Sequence, residues 1–421
     1  MRFRTIPLTL LVGVLAVGLV SCADGGSPTA PDESTGDGHG EISGAAELAE
    51  PQLGLTTIDA DGRVTHLDLL DERVTEIGEI AAPTAMHTDG RYLFAQTDDG
   101  IEIVDSGVWT WDHVDHFHYY RANPRLLGSV EGDGTATVAT SNLSTTGGTG
   151  IFFSSGEAVL LDTAALSKGD IEESFRVPAE PHAGMVVPVG SFALVTEPES
   201  GAVSETGAAG RVVGYTGDGE PTGLQEDCPD ASGTITTRVG AVIGCRDGAL
   251  LATVEDGELR VERIPYPDDS TAPAARAFAN REGRPTVAGL AGTTGEAGIW
   301  MLDTREKTWT LLPAPAPLVQ VTAVDDDPEH LLALATDGRV LVLNGADGAV
   351  LAQTEPLVAA SLAAGSSATT AAPVLIADQQ RAYLSAPAER LLYEIDFADR
   401  ARIARTFETP TPPAFTAETG R

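Results

Sequence analysis

One segment gathers the side chains best suited to hold a metal ion: Trp109-Thr-Trp-Asp-His-Val-Asp-His-Phe-His-Tyr-Tyr120, with His113, His116 and His118 beside Asp112 and Asp115. Three of the chain's eight histidines fall there within six residues. Imidazole and carboxylate are good donors for Zn2+ and similar ions. His116 and His118 are two apart, so on an extended strand both rings face one way and can grip a single ion. His113 and Asp115 have the opposite parity and need a bend to join them. The competing reading makes all of them solvated polar residues beside a turn. A metal site would draw a further ligand from elsewhere in the fold. His182, in Glu180-Pro-His-Ala-Gly-Met185, is the candidate, because it opens a segment expected to line an inner channel. His87 opens another such segment in a shifted frame. His66 and His330 read as exposed strand or turn residues, and His39 stands alone among acids.

Other chemistry is faint. Asp59-Ala-Asp61-Gly62 begins like a calcium loop but lacks the later ligands, so it reads as a turn. No Gly-x-Ser-x-Gly, phosphate-cradling Walker sequence or His-Glu-x-x-His occurs. Members of a Ser-His-Asp triad can be scattered along a chain, but nothing local supports one. The chain is therefore read as a binding protein and not an enzyme; a propeller hydrolase using a bound cation is the least supported alternative.

The N-terminus speaks to compartment. Arg2 and Arg4 precede an apolar run from Leu8 to Val20. That run is shorter than the roughly 20 residues a membrane-spanning helix needs, and it suits the apolar core of a signal peptide. It ends in Leu19-Val20-Ser21-Cys22, which resembles the lipobox at which bacterial lipoproteins are cleaved and lipidated. Residues 1–21 are thus expected to be a lipoprotein signal peptide and Cys22 the lipidated residue; an ordinary secretory signal is the other reading. Residues 22–49 are rich in Gly, Ser, Pro and acids, too poor in apolar surface to offset their ordering entropy. They are expected to form an acidic disordered tether. Three cysteines are an awkward count for a secreted protein. Lipid on Cys22 would leave Cys228 and Cys245 to pair in an oxidising compartment, a bridge that stabilises by roughly 3 kcal/mol on the chain-entropy account. The expected location is extracytoplasmic, with membrane contact through the lipid alone.

The formal net charge is −36, with 62 Asp and Glu against 26 Lys and Arg, and Lys168 and Lys307 are the only lysines. No basic stripe appears. Such a chain is repelled by nucleic acid and by anionic lipid, so neither is expected as a partner. The acidity reads as a solubility or lineage bias, or as a field that attracts cations or a basic partner.

The remaining residues, 50–421, must position the histidines. Asp-Gly pairs at 61, 89, 99, 247, 256, 337 and 347 punctuate short apolar runs, and Asp-Gly suits tight hairpin turns. Units of strand, turn, strand, turn and a third strand carrying Asp or Asn begin near 50, 83, 134, 180, 230, 272, 317 and 360. Their spacing of roughly 35 to 50 residues is that of propeller blades. The prediction is an all-β chain, a single propeller of seven or eight blades, closed by pairing the segment near Phe415 with the first blade. Two β-sandwiches are the alternative.

The stretch Ser106-Gly-Val-Trp-Thr-Trp-Asp-His-Val-Asp-His-Phe-His-Tyr-Tyr120, followed by Asn123-Pro-Arg-Leu-Leu-Gly128, resembles the zinc metallochaperone AztD family. So do Ile151-Phe-Phe, Pro181-His182, Cys228-Pro229, Gly244-Cys245 and Arg284-Pro-Thr-Val-Ala-Gly289. The resemblance implies an extracytoplasmic β-propeller that passes zinc to the solute-binding protein of a zinc ABC transporter. Part of the family's histidine set is missing. Ala136-Thr137 and Ala231-Ser232-Gly233-Thr234 replace histidine-bearing segments, and the His-rich tail is reduced to His39. The resulting expectation is a lipid-anchored, Zn2+-binding accessory of a metal ABC importer. The alternative is a propeller without metal that serves interaction or sensing at the cell surface.

Overall fold

The glycines that follow Asp61, Asp89, Asp99, Asp247, Asp256, Asp337 and Asp347 all adopt positive φ, the backbone that hairpin turns demand. Gly62 shows why no other residue serves: a Cβ there would lie 2.0 Å from the Ile80 carbonyl oxygen. Between such turns the computed structural model folds into successive antiparallel sheets. It describes residues 40–112, 116–293, 295–365 and 371–421. Cys22, His39, His113 and Asp115 lie outside the described residues.

The sheets are the blades of a β-propeller. Four strands make each of the first five: the second, for example, comprises Ala85–Thr88, Tyr92–Thr97, Gly100–Asp105 and Arg125–Glu131. The sixth has three strands, Thr286–Leu290, Ile299–Asp303 and Thr308–Leu312. Ahead of them Ala275 and Ala279 make isolated bridges to Ala291 and Ala288. Four-stranded seventh and eighth blades begin at Leu318 and Leu375. Eight blades are therefore present among the described residues, close to the predicted starts. The last blade begins later than expected because a short helix, Ala359–Ala364, precedes it.

Closure follows the prediction. The C-terminal strand Pro413–Thr419 joins Gly54–Asp59 in the first blade, with Phe415 opposite Ile58. One sheet thus unites both ends of the domain, leaving no open edge there. Side chains from the innermost strands of several blades, among them His87, Thr140, Thr236, Thr322 and Glu418, line a central channel of about 510 Å3. Facing blades pack apolar layers against each other, as where Val187, Leu194 and Val212 of the fourth meet Ile243 and Leu250 of the fifth. The Cys228–Cys245 disulfide joins the same two blades, with Cα atoms 5.1 Å apart. No helix among the described residues is long and apolar enough to cross a membrane.

One element departs from the blade plan. Between the third and fourth strands of the second blade the chain leaves as a hairpin, Val108–Asp112 and Phe117–Arg121. A strand at Ala46–Leu48 adds to its edge, pairing Glu47 with Tyr120. Part of the span predicted as tether is therefore strand. Composition concealed it, because three residues of strand within an acidic, Gly-rich stretch carry little apolar signal.

Candidate metal centre

The hairpin carries the His-rich segment, and its base is fixed by a buried cation. Arg91 is 1% exposed and makes a bidentate ion pair with Asp105, with both contacts at 2.9 Å. Its guanidinium lies 3.8 Å from the Trp109 ring centre, a desolvated cation–π contact. Trp109 stacks on Tyr120 across the hairpin and donates its indole N–H to Gly40 O at 3.2 Å. Thr110 donates its amide to Arg421 O and its hydroxyl to Gly420 O. Arg121 pairs with Asp68 of the first blade. Each hairpin strand is thus tied to the propeller near its root.

Strand alternation then sorts the side chains into two faces. Thr110, Asp112, Phe117 and Tyr119 line a cavity of about 830 Å3 that also includes Glu282 and Arg421 of the channel mouth. Trp109, Trp111, His118 and Tyr120 occupy the other face, with Trp111 opposite His118. There His118 meets His116, which just precedes the strand: their Nε2 atoms are 2.9 Å apart. His118 donates Nδ1–H to Glu47 Oε1 at 2.7 Å. A carboxylate on Nδ1 fixes the tautomer that presents Nε2 as an acceptor, the arrangement that orients metal-ligating histidines. In a tetrahedral zinc site with Zn–N of about 2.0–2.1 Å, two donor nitrogens lie roughly 3–3.5 Å apart. The pair is close to that spacing. Among the described residues, however, no group of three or more His, Cys, Asp or Glu is arranged to hold an ion. Asp112 instead pairs with Arg238 at 3.0 Å.

This is the fold of AztD. A crystal structure of AztD from Citrobacter koseri superposes with a TM-score of 0.74 at 18% identity, covering 88% of this chain and 99% of that one. The apo form of AztD from the same organism gives 0.72, again at 18% identity, covering 88% and 98%. Dihydro-heme d1 dehydrogenase NirN is more distant, at 0.51 and 16% identity, covering 89% of this chain and 76% of its own. No protein-family model and no curated protein matches the chain. The AztD likeness shows the propeller; its identity is too low to carry residue roles across.

Two histidine expectations need correction. His182 does not line the channel. The innermost strand of its blade starts only at Val186, so His182 precedes the ladder and turns into a packed site. It is fully buried, edge-on to Phe152, with Nδ1 at 2.7 Å from Glu180 O and Nε2 at 2.9 Å from Thr196 Oγ1. Both nitrogens are engaged, and burial lowers the ring's pKa. His66 is not exposed either. It is 8% accessible, bonded to Thr56 Oγ1 at 2.9 Å, and burial lowers its pKa to about 4. His330 is held 2.6 Å from Asp326.

Two groups, Glu47 and Glu418, escaped the sequence reading. Glu47 reaches His118 from the supposed tether. In the channel His87 lies near Thr140, its pKa lowered to about 4 by burial. Close by, Glu418 is wholly buried and its carboxyl is pushed up to about 8 by burial, with Arg421 pulling the other way.

Proposed function

We propose that the chain is an extracytoplasmic accessory protein that carries Zn2+ as cargo at His116 and His118 and hands it to the solute-binding protein of a metal ABC importer. The observation that carries this reading is the convergence of the two Nε2 atoms with Glu47 behind His118. Asp112 is committed to Arg238, so His113 and Asp115, which flank the pair in sequence, are the proposed further ligands. His182, fully engaged elsewhere, is not among them. Lipid on Cys22 would hold the propeller at the membrane. The sequence resemblance to the zinc metallochaperones and the shared propeller fold support the assignment; binding and transfer, not catalysis, are the proposed activities.

Metal-stripped chain titrated with Zn2+ in a calorimeter should take up about one ion per chain. Combined His116→Ala and His118→Ala substitution should abolish uptake. Absence of any binding tighter than micromolar overturns the proposal. That outcome would favour a metal-free interaction module, a reading to which the buried, fully bonded His182 already lends weight. Such a module would still capture a transporter component with chelator present.

A further inference from the structure

The cavity beneath the hairpin is unusual in its charges. Six of the chain's 26 basic residues line it, in a molecule of net charge −36. Five of them have a carboxylate partner: Arg238 has Asp112 at 3.0 Å, Arg284 has Asp325 at 2.9 Å, Arg381 has Glu394 and Asp396, Arg405 has Glu394 and Glu72, and Arg421 has Glu418 at 3.1 Å. Arg281 is the exception. Among the described residues it forms no ion pair. One Nη donates to the Asp325 carbonyl at 3.3 Å, and Nε is buried without any partner. A half-buried guanidinium whose Nε is left in this state bears part of its desolvation cost uncompensated.

An opposite charge in the same cavity is likewise unmatched. Asp378 directly follows the innermost strand of the eighth blade, Leu375–Ala377. Its backbone N–H bonds Arg381 O, but its carboxylate forms no ion pair among the described residues. Arg281 and Asp378 feel each other's charge without closing into a pair. Around them the walls are partly apolar and aromatic, including Leu53, Leu69, Tyr119 and Tyr383.

We propose that this cavity binds a small zwitterion of the α-amino-acid type, its carboxylate on Arg281, its ammonium on Asp378 and its side chain against the aromatic wall. Arginine's planar fork matches a carboxylate with two parallel hydrogen bonds. A simple anion fits less well, because the molecule as a whole repels it and the cavity offers as many carboxylates as guanidiniums. A ligand carrying both charges satisfies both unmatched groups at once. The site opens on the face of the hairpin opposite His116 and His118, so it requires no metal.

The test is calorimetry on the purified full chain, with chelator present throughout, using L-phenylalanine as probe. Phenylalanine should bind, while N-acetyl-phenylalanine and phenylalaninamide, each lacking one charge, should bind at least tenfold more weakly. Arg281→Gln should weaken phenylalanine at least tenfold yet leave phenylalaninamide little changed. Asp378→Asn should do the converse with N-acetyl-phenylalanine. The proposal is overturned by no binding of phenylalanine up to about 10 mM, or by either half-charged analogue binding as well as the zwitterion. The analogue comparison on the unmodified chain stands even where a substitution disturbs folding. With chelator present, failure here leaves the zinc assignment untouched.

Discussion

Two sets of histidines divide this molecule. His116 and His118 meet on an excursion from the second blade, where a carboxylate from a separate strand holds one ring and the two Nε2 atoms point at each other. His66, His87 and His182 lie within or between blades, where burial lowers each pKa. A lowered pKa keeps these three rings in the neutral form that metals prefer, yet that alone makes no site. Geometry does. Each of these rings has a hydroxyl or carbonyl of the propeller beside it, whereas among the described residues only the hairpin brings two imidazole nitrogens to one point. A histidine count, or a burial count, would rank the two sets the wrong way round.

The largest expected contrast tests that division directly. Replacing His116 and His118 together should remove zinc uptake at only a modest cost in stability, because His116 is exposed and His118, though half-buried, belongs to a peripheral hairpin. His182→Ala should do the opposite. It empties a fully buried site beside Phe152 and deletes two hydrogen bonds, at a cost of roughly 2–4 kcal/mol. Zinc affinity should change by less than about twofold. Urea melts and zinc titrations of the two variants check both halves. A tenfold loss of zinc affinity in His182→Ala would break the division.

Acid sensitivity sharpens it further. His66 takes its proton near pH 4 in the folded chain and near 6.5 when unfolded. Between those values the unfolded state binds more protons, so the stability His66 confers is complete above about pH 6.5 and is lost as pH falls towards 4. The effect is on the order of 3 kcal/mol. Glu418 has the reverse sign: its folded pKa of about 8 lies above the ordinary 4.5, so its contribution is complete below 4.5 and fades as pH rises through 8. His66→Gln should flatten the acid limb of a stability–pH curve, and Glu418→Gln the alkaline limb. An acid limb unchanged in His66→Gln would show that burial of that ring is not what the proton senses.

How much of this could be read from the chain alone follows from the range of the signals. Turns are local, so the Asp-Gly pairs marked the hairpins, and their spacing marked the blades. The two-residue step from His116 to His118 is also local, and the two rings lie side by side although His116 sits just before the strand. Long-range partners left no such trace. His66 looked like a solvated strand residue because the groups that bury it, Thr56 and Gly54, come from the neighbouring strand; a Cβ on Gly54 would meet the His66 ring. His182 looked like a channel residue because nothing in Pro181-His182-Ala183-Gly184 fixes where the ladder begins. Arg281 and Asp378 come from different blades, and only closure of the ring puts them on one cavity.

Glu47 is the sharpest instance, and the smallest expected effect. It belongs to a three-residue strand in an acidic stretch, yet it sets the tautomer of His118. Outer partners of metal-binding histidines typically contribute about 10–100-fold in affinity. Glu47 is 57% exposed, which places it at the weak end of that range because solvent screens its charge. Glu47→Ala should therefore weaken zinc binding about tenfold. Glu47→Gln keeps an acceptor for the Nδ1–H and loses only the charge, so it should cost about threefold or less. Were both substitutions silent in a zinc titration, the short strand would be a structural edge and the hairpin pair would act without it. A loss in Glu47→Ala that Glu47→Gln largely restores would instead show that the strand orients the ring, which is the one task its geometry suits.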